Sequence, residues 1–304
     1  MTETHEADGV LIVNKHAGVT SHDIVNRVRR LYGTKKVGHT GTLDPMATGV
    51  LVVLIGRAAK ASEYLRCDRK RYLATLRLGL TTDTEDTTGT VLTTCDRIPD
   101  FDALCTVLPE FRGTIPQIPP MYSALKVGGQ KLVDLARRGI TVERQAREIE
   151  IVALTAAPTD RPSDFLLDVT CSGGTYIRTL CADIGARLGC GGVMASLCRS
   201  EVAGFTLAQA YTLDGLEQMT AAERTALLIP TEQLFAELPA VCLGEFHEKL
   251  IRSGCAVAER KLKVDLPAGT RVRLYGKDGF FALGEAVISD GAETAIRAIK
   301  TFQI

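Results

Sequence analysis

The sequence predicts an α+β fold followed by a smaller β-rich domain. Strand and helix patterns alternate irregularly, without the repeated strand–helix–strand order of an α/β protein. Strand-turn-strand character then appears in VRLYGKDGFFALGEAVI, with Lys277, Asp278 and Gly279 as the predicted turn. At 304 residues the chain also exceeds the length at which single cores usually stop growing. We therefore predict one domain over residues 1–237 and a second over residues 238–304.

The elements of the first domain are predicted from apolar spacing. Five segments have the continuous apolar runs or the period-two alternation of strands: 9–13, 50–55, 71–79, 148–153 and 164–171. Thr20 and Asp23 have the spacing of a capping box, which predicts that a helix begins there. A further helix is predicted over 176–188, with Gly189 as its C-terminal cap.

One long segment breaks these patterns. Within residues 115–147, IPQIPPMYSALKVGGQK contains three prolines and a Gly-Gly pair before a short predicted helix over 132–138. We predict an exposed, partly mobile loop. Long irregular segments in compact domains are often functional, although such a loop can simply connect two elements.

Composition and motifs exclude several classes of function. Equal numbers of acidic and basic residues give zero net charge, so any binding of nucleic acid must depend on local basic clusters, such as Arg66, Arg69, Lys70 and Arg71. The chain has neither a phosphate-binding P-loop nor a dinucleotide-binding glycine motif. Its histidines and cysteines lack metal-ligand spacing. No apolar run is long enough to span a membrane, and we expect a cytoplasmic protein without cofactor or metal.

The densest motif is GHTGTLDPMATG, residues 38–49, which lies directly before a predicted buried strand. Its three glycines and one proline indicate a special backbone path. Pro45 favours an extended conformation at Asp44, which would present the carboxylate from a rigid loop. An isolated Asp-Pro pair is usually only part of a turn, so the surrounding residues carry the functional argument.

These twelve residues resemble the signature of bacterial TruB-type tRNA pseudouridine synthases, whose catalytic aspartate would be Asp44. Further stretches agree in order: GVLIVNK with GVTSHDIV, RYLATLRLG followed by TTDTEDTTG, QIPPMYSALKVGGQKLVDLARRGITVERQAREI, and CSGGTYIRTLCADIG. The resemblance implies the pseudouridine synthase fold, a mixed and largely antiparallel sheet flanked by helices and loops. Segment 115–147 looks like the family's RNA-gripping loop, and 238–304 is similar to its PUA-type RNA-binding domain.

The resemblance also implies roles for individual residues. Asp44 would be the nucleophile and Arg178 its ion-pair partner. Tyr72 would stack on the target base and accept or relay the proton from C5. The implied substrate contacts are Lys15, His39, Lys126, Lys131, Arg137, Arg138, Tyr176 and Leu197. Without the motifs, these tyrosines and the leucine would be assigned to the core and Arg178 to a helix surface.

The implied reaction converts the uridine at position 55, in the T loop of tRNA, to pseudouridine after base flipping. A carboxylate ionised at neutral pH is suited to glycosyl chemistry, so the covalent step needs no cofactor. Whether the carboxylate attacks the ribose or the base is left open. We expect a monomer whose partner is the T stem-loop.

Two departures from the family pattern and two alternative functions accompany this interpretation. His16 stands where the family usually has proline, and Cys198 where it usually has arginine. The protein could instead be a non-catalytic RNA-binding or tRNA-folding protein on the same fold. It could also be a synthase that modifies a uridine in another RNA. The presence of Asp44, Tyr72 and Arg178 together argues against the non-catalytic alternative.

Overall fold

The computed structural model describes residues 7–65, 69–289 and 293–303, so Arg66 of the predicted basic cluster lies outside the described residues. The strands are β1 (Gly9–Lys15), β2 (Val37–His39), β3 (Thr48–Ile55), β4 (Lys70–Leu78), β5 (Leu80–Thr82), β6 (Val91–Thr94), β7 (Gly113–Gln117), β8 (Lys126–Val127), β9 (Gln130–Lys131), β10 (Arg147–Pro158), β11 (Asp164–Cys171), β12 (Gly192–Val202), β13 (Phe205–Thr206), β14 (Ala240–Cys242), β15 (Val257–Ala258), β16 (Arg271–Gly276), β17 (Gly279–Ile288) and β18 (Thr294–Thr301).

The α-helices are α1 (Ser21–Leu31), α2 (Phe101–Val107), α3 (Leu132–Ala136), α4 (Ile177–Arg187), α5 (Leu213–Gln218), α6 (Ala221–Ala226), α7 (Glu245–Arg252) and α8 (Glu259–Leu262). The capping box predicted at the start of α1 is present: the Thr20 hydroxyl accepts from the Asp23 amide, and the Asp23 carboxylate accepts from the Thr20 amide. Within the described residues, no helix is long and apolar enough to cross a membrane.

A nine-stranded sheet forms the larger part of the molecule. Its order is β1-β3-β12-β4-β11-β10-β7, with β2 added on β3 and β13 on β12. The β3–β12 pair is parallel and the other pairs are antiparallel, which confirms the predicted mixed, largely antiparallel α+β architecture. The strands predicted from apolar spacing all lie in this sheet.

Helix α4 lies close against this sheet and thereby fixes the position of Arg178 in its first turn. The approach depends on Gly185, because a Cβ there would lie 2.1 Å from the Gly192 amide nitrogen of β12. Ile177, Leu180 and Ile184 of α4 are buried in the core on this face. Arg178 is therefore held by a helix that cannot easily shift.

The predicted loop is shorter than residues 115–147, because its two ends belong to the sheet. Strand β7 pairs with β10 from Gln117–Arg147 to Gly113–Ile151, so the irregular segment covers residues 118–146. Within it lie the small β8–β9 hairpin and helix α3. Two antiparallel strands thus fix both ends of the loop, and the intervening residues extend from the sheet edge.

A five-stranded sheet of order β14-β16-β17-β18-β15 forms the β-rich C-terminal part. The predicted turn connects β16 to β17, and the second sheet begins at Ala240. Phe280 and Phe302 of this part pack against Phe235, with ring centroids 6.4 and 5.9 Å from that of Phe235. The same apolar cluster includes residues of β1 and β3, so both sheets share a buried interface.

Candidate active site

Two fully buried cations hold the signature loop, residues 38–49. Arg199 on β12 donates to the carbonyl oxygens of Val50 at 2.8 Å, Gly41 at 3.0 Å and Thr42 at 3.4 Å. Gly49 makes this close approach possible: its φ is +105°, and a Cβ there would lie 2.3 Å from the Arg199 carbonyl oxygen. Glycine adopts this backbone conformation without strain, so the sequence and the loop path agree.

Lys15, which the resemblance implies as a substrate contact, is the second buried cation. Its Nζ donates to the carbonyl oxygens of Ala47 at 2.6 Å, Pro45 at 3.1 Å and His16 at 3.1 Å. Burial lowers its pKa to about 8, although the nearby Asp44 carboxylate opposes this shift. Because the side chain is fully buried under the loop, Lys15 supports the backbone that presents Asp44.

Asp44 and Arg178 form the predicted ion pair. Arg178 Nε lies 2.9 Å from Asp44 Oδ2, and Nη2 lies 3.3 Å from Oδ1. The arginine side chain is only 7% exposed, whereas that of Asp44 is 34% exposed. The pair therefore joins a buried guanidinium to a carboxylate that a ligand can reach.

Other segments fix the guanidinium in turn, and the sequence did not identify their residues as contacts. Nη1 donates to the Thr84 carbonyl oxygen at 3.1 Å, and Nη2 donates to the Tyr122 carbonyl oxygen at 2.9 Å. Asp86 Oδ2 lies 3.9 Å from Nε. Asp86 lies in the TTDTEDTTG motif, which was a signal for function, but nothing in its spacing indicates a contact with residue 178.

Tyr72, Tyr176 and Leu197 stand around this ion pair. Tyr72 and Leu197 are buried on the neighbouring strands β4 and β12. Burial raises the pKa of the Tyr72 phenol, which therefore keeps its proton at neutral pH, while Arg199 acts in the opposite direction. Tyr176 is held through its backbone, because the Gln117 amide group donates to its carbonyl oxygen at 3.0 Å and accepts from its N–H at 2.8 Å.

These groups line a cavity of about 600 Å³. We call Asp44, Tyr72, Arg178 and Leu197 the pocket floor. The pocket cover is the part of the cavity wall that comes from loop 118–146: Tyr122, Ser123, Ala124, Lys131, Val133 and Arg137. His39 also lines the cavity, and its buried Nδ1 has no hydrogen-bond partner. Burial lowers the His39 pKa, with Arg199 and His22 adding to the effect, so its neutral form is favoured.

The predicted basic contacts divide into two groups. Lys131 and Arg137 line the cavity. Lys126, in the exposed β8–β9 hairpin, is not among the lining residues, and neither is Arg138, whose guanidinium donates to Gln130 Oε1 at 2.8 Å and to the Asp134 carbonyl oxygen at 3.2 Å. The two departures from the family pattern, His16 and Cys198, line a separate cavity of about 560 Å³ with Lys15. Neither of them lines the cavity around Asp44.

Within the described residues, no group of three or more His, Cys, Asp or Glu side chains could hold a metal ion. The expectation of a reaction without metal or cofactor therefore stays a prediction. What the geometry offers is a carboxylate paired with a guanidinium, a phenol and an imidazole around one cavity.

Comparison with known proteins identifies relatives along nearly the whole chain. Residues 29–177 match the N-terminal domain of TruB family pseudouridylate synthases, and residues 178–236 match the tRNA pseudouridylate synthase B C-terminal domain. A protein of Burkholderia mallei (strain NCTC 10247) named tRNA pseudouridine synthase B is 43% identical over 296 residues, which cover 97% of each chain. Its namesake in Syntrophotalea carbinolica is 40% identical over 290 residues, covering 94% of each.

Solved structures agree with this relationship. A chain in the crystal structure of a Cbf5-Nop10-Gar1 complex superposes with a TM-score of 0.75 at 25% identity, and the match covers 99% of this chain and 87% of that one. A chain in the archaeal box H/ACA sRNP Nop10-Cbf5 complex superposes with a TM-score of 0.71, also at 25% identity, over 99% and 88%.

Proposed function

This chain belongs to the TruB family of pseudouridine synthases, and we propose that it isomerises the uridine at position 55, in the T loop of tRNA, through a covalent intermediate on Asp44. The curated relatives are named for tRNA. The T-loop position and the aspartyl intermediate are the parts of the proposal that go beyond these names. The observation that carries the proposal is the Asp44–Arg178 ion pair, which opens into a cavity beside Tyr72.

The chemistry needs one carboxylate with a free lone pair. Arg178 holds Oδ2 of Asp44 at 2.9 Å and Oδ1 at 3.3 Å, so Oδ1 is the oxygen less restrained by hydrogen bonding. The bond between C1′ and N1 of the uridine breaks, the uracil turns, and C1′ bonds to C5. C5 then loses its proton and N1 takes one up, so the product is an isomer of the substrate. Asp44 forms an ester-like bond during this exchange and is released unchanged. Both attack on the ribose and attack on the base remain compatible with this geometry.

Tyr72 holds the base and handles the proton in this proposal. Its ring forms part of the cavity wall, where uracil can stack on it. Because burial keeps the phenol protonated, Tyr72 relays a proton by giving one up while taking another, rather than acting as a phenolate base. Leu197 and Tyr176 close the apolar sides of the same space.

The uridine reaches Asp44 only after it leaves the stack of the T loop, at a cost of a few kcal/mol. A cavity of about 600 Å³ is of the size expected for a small-molecule site, and it suits a single extruded nucleotide. His39 lies at its wall, where its ring can contact the RNA. Extrusion of the uridine into this cavity would bring the nucleotide to the Asp44 carboxylate in the cavity wall.

Binding of the tRNA is assigned to basic residues around the entrance and to the C-terminal part. Lys131 and Arg137 approach phosphates at the cavity, while Lys126 and Arg138 contact phosphates further out. Residues 1–237 act as the catalytic domain, and residues 238–304 act as a PUA-like RNA-binding domain. All candidate groups come from one chain, so a monomer suffices, and we keep the cytoplasm as the expected location.

The test is incubation of the protein with an unmodified tRNA transcript, followed by pseudouridine mapping at single-nucleotide resolution. We expect modification at position 55 alone, with no added metal or nucleotide. Modification elsewhere would favour a different RNA target, and tRNA binding without modification would favour the RNA-folding alternative.

Asp44→Asn is the decisive variant. We predict that it keeps the fold and tRNA affinity but shows no detectable turnover, because the amide preserves the shape and removes the nucleophilic charge. The measurements are single-turnover pseudouridine formation and tRNA binding by filter retention. Turnover near that of the unaltered enzyme would remove Asp44 from the mechanism.

A further inference from the structure

Tyr122, near the start of loop 118–146, is attached at both ends: its backbone contacts the pocket floor and its phenol contacts Asp83. Its carbonyl oxygen accepts from Arg178 Nη2 at 2.9 Å. Its phenol donates to Asp83 Oδ2 at 3.3 Å. Asp83 is fixed in its turn, since its Oδ1 accepts from the Thr90 amide at 2.7 Å. One residue of the cover thus spans the distance between the catalytic guanidinium and the TTDTEDTTG turn.

Arg178 Nη2 is shared between Tyr122 and Asp44. The same nitrogen lies 2.9 Å from the Tyr122 carbonyl oxygen and 3.3 Å from Asp44 Oδ1. A guanidinium and a carboxylate left to themselves favour two short parallel hydrogen bonds. By drawing Nη2 toward itself, the Tyr122 carbonyl keeps Oδ1 weakly held. A fully bidentate pair would tie up both oxygens and weaken the nucleophile.

The adjacent residue connects this contact to the RNA side of the loop. The Ser123 carbonyl oxygen accepts from the Val133 amide of α3 at 3.1 Å, and α3 lies between the cavity-lining Lys131 and Arg137. The Ser123 hydroxyl is buried and has no hydrogen-bond partner. An unpaired buried hydroxyl carries a free-energy cost, so this segment is held in place against a local penalty.

We propose that Tyr122 is a positioning residue for the reaction: its bond to Asp83 holds the backbone carbonyl that sets the geometry of Arg178 against Asp44. This inference rests on the proposed function. Burial, and the neighbouring Asp83 carboxylate, raise the pKa of Tyr122, so the phenol stays protonated and remains a donor. Tyr122 acts through Arg178 and touches no reacting atom.

The test is Tyr122→Phe, which deletes one hydroxyl and keeps the ring and the backbone. At saturating tRNA we expect the single-turnover rate to fall about 3- to 30-fold, with affinity unchanged within about twofold. Asp83→Ala removes the acceptor of the phenol, together with the acceptor of the Thr90 amide, and we expect a loss at least as large. Because both changes break one contact, the double variant should be no slower than the slower single variant.

Tyr32→Phe is the matched control, because it deletes a phenol that donates to the Arg224 carbonyl oxygen at 2.9 Å, and Tyr32 is not among the cavity-lining residues. Its single-turnover rate should equal that of the unaltered enzyme. A full rate for Tyr122→Phe, or losses that multiply in the double variant, would overturn the positioning role while leaving the proposed function intact. An unaltered enzyme without activity would overturn both.

Discussion

The pocket floor and the pocket cover are built in opposite ways. Behind the floor, buried Arg199 and Lys15 together donate to six backbone carbonyl oxygens. The cover belongs to an irregular segment, and its Lys131 and Arg137 are exposed to solvent. Groups that stabilise developing charge work best when they are already in place. An RNA surface instead needs side chains that can adjust, so chemistry and recognition are assigned to different parts of the chain.

The largest effect on stability is expected from disrupting the tightest contact behind the pocket floor, which is between Gly49 and Arg199. We predict that Gly49→Ala lowers the free energy of unfolding by ~2–4 kcal/mol, because the new Cβ would lie 2.3 Å from the Arg199 carbonyl oxygen on a backbone with φ of +105°. Urea denaturation measures the change, and single-turnover assays should show a parallel loss of rate.

Gly38→Ala is the matched control from the same loop, since a Cβ at Gly38 would have no neighbour within 4 Å. Its free energy of unfolding should stay within about 1 kcal/mol of the unaltered protein. Equal stabilities of the two variants would show that the floor is not held as tightly as the contacts around Gly49 indicate.

The contrast between floor and cover also explains what the sequence could predict. The motif around Asp44 and the segment that contains Arg178 were recognisable, and their pairing across 134 residues follows from the fold. Apolar spacing located five strands of the large sheet, because burial imposes continuous apolar runs or period-two alternation, but it did not locate the central strand β12. The same spacing did not show that residues 113–117 form an edge strand, since Pro116 interrupts the pattern.

Lys15 shows why the other contacts of the site could not be predicted from the sequence. A lysine near a loop is compatible with a phosphate contact, and only the positions of three carbonyl oxygens reveal that its Nζ points inward. Gln117 and Tyr122 are similar cases, because each acts through backbone atoms or on backbone atoms of a distant segment. Every residue has the same backbone atoms, so the sequence does not show which side chain bonds to the backbone of a distant segment.

Two substitutions of Tyr72 separate stacking from proton transfer on the pocket floor. We expect Tyr72→Phe to keep tRNA affinity and to lose turnover by on the order of 10²-fold, since a relay group is removed while the ring remains. Tyr72→Leu should be similarly slow and should also bind or flip the base less well, by ~1–3 kcal/mol. Single-turnover rates and binding measured in parallel distinguish the two. An unchanged rate for the Phe variant would limit Tyr72 to stacking.

The smallest effect is expected from the two cations of the cover, Lys131 and Arg137, where affinity should change and the chemical step should not. We predict that replacing Lys131 and Arg137 with alanine weakens tRNA binding about tenfold and makes its salt dependence less steep, because fewer counterions are then released from the RNA. The rate at saturating tRNA should stay within about twofold.

The matched pair, Lys126→Ala with Arg138→Ala, lies in the same loop outside the cavity wall and should weaken binding only a few-fold. Filter binding between 50 and 200 mM salt gives both slopes. A large loss of saturating rate in the cavity-lining variant would mean that these cations take part in the chemistry and would erase the division between floor and cover.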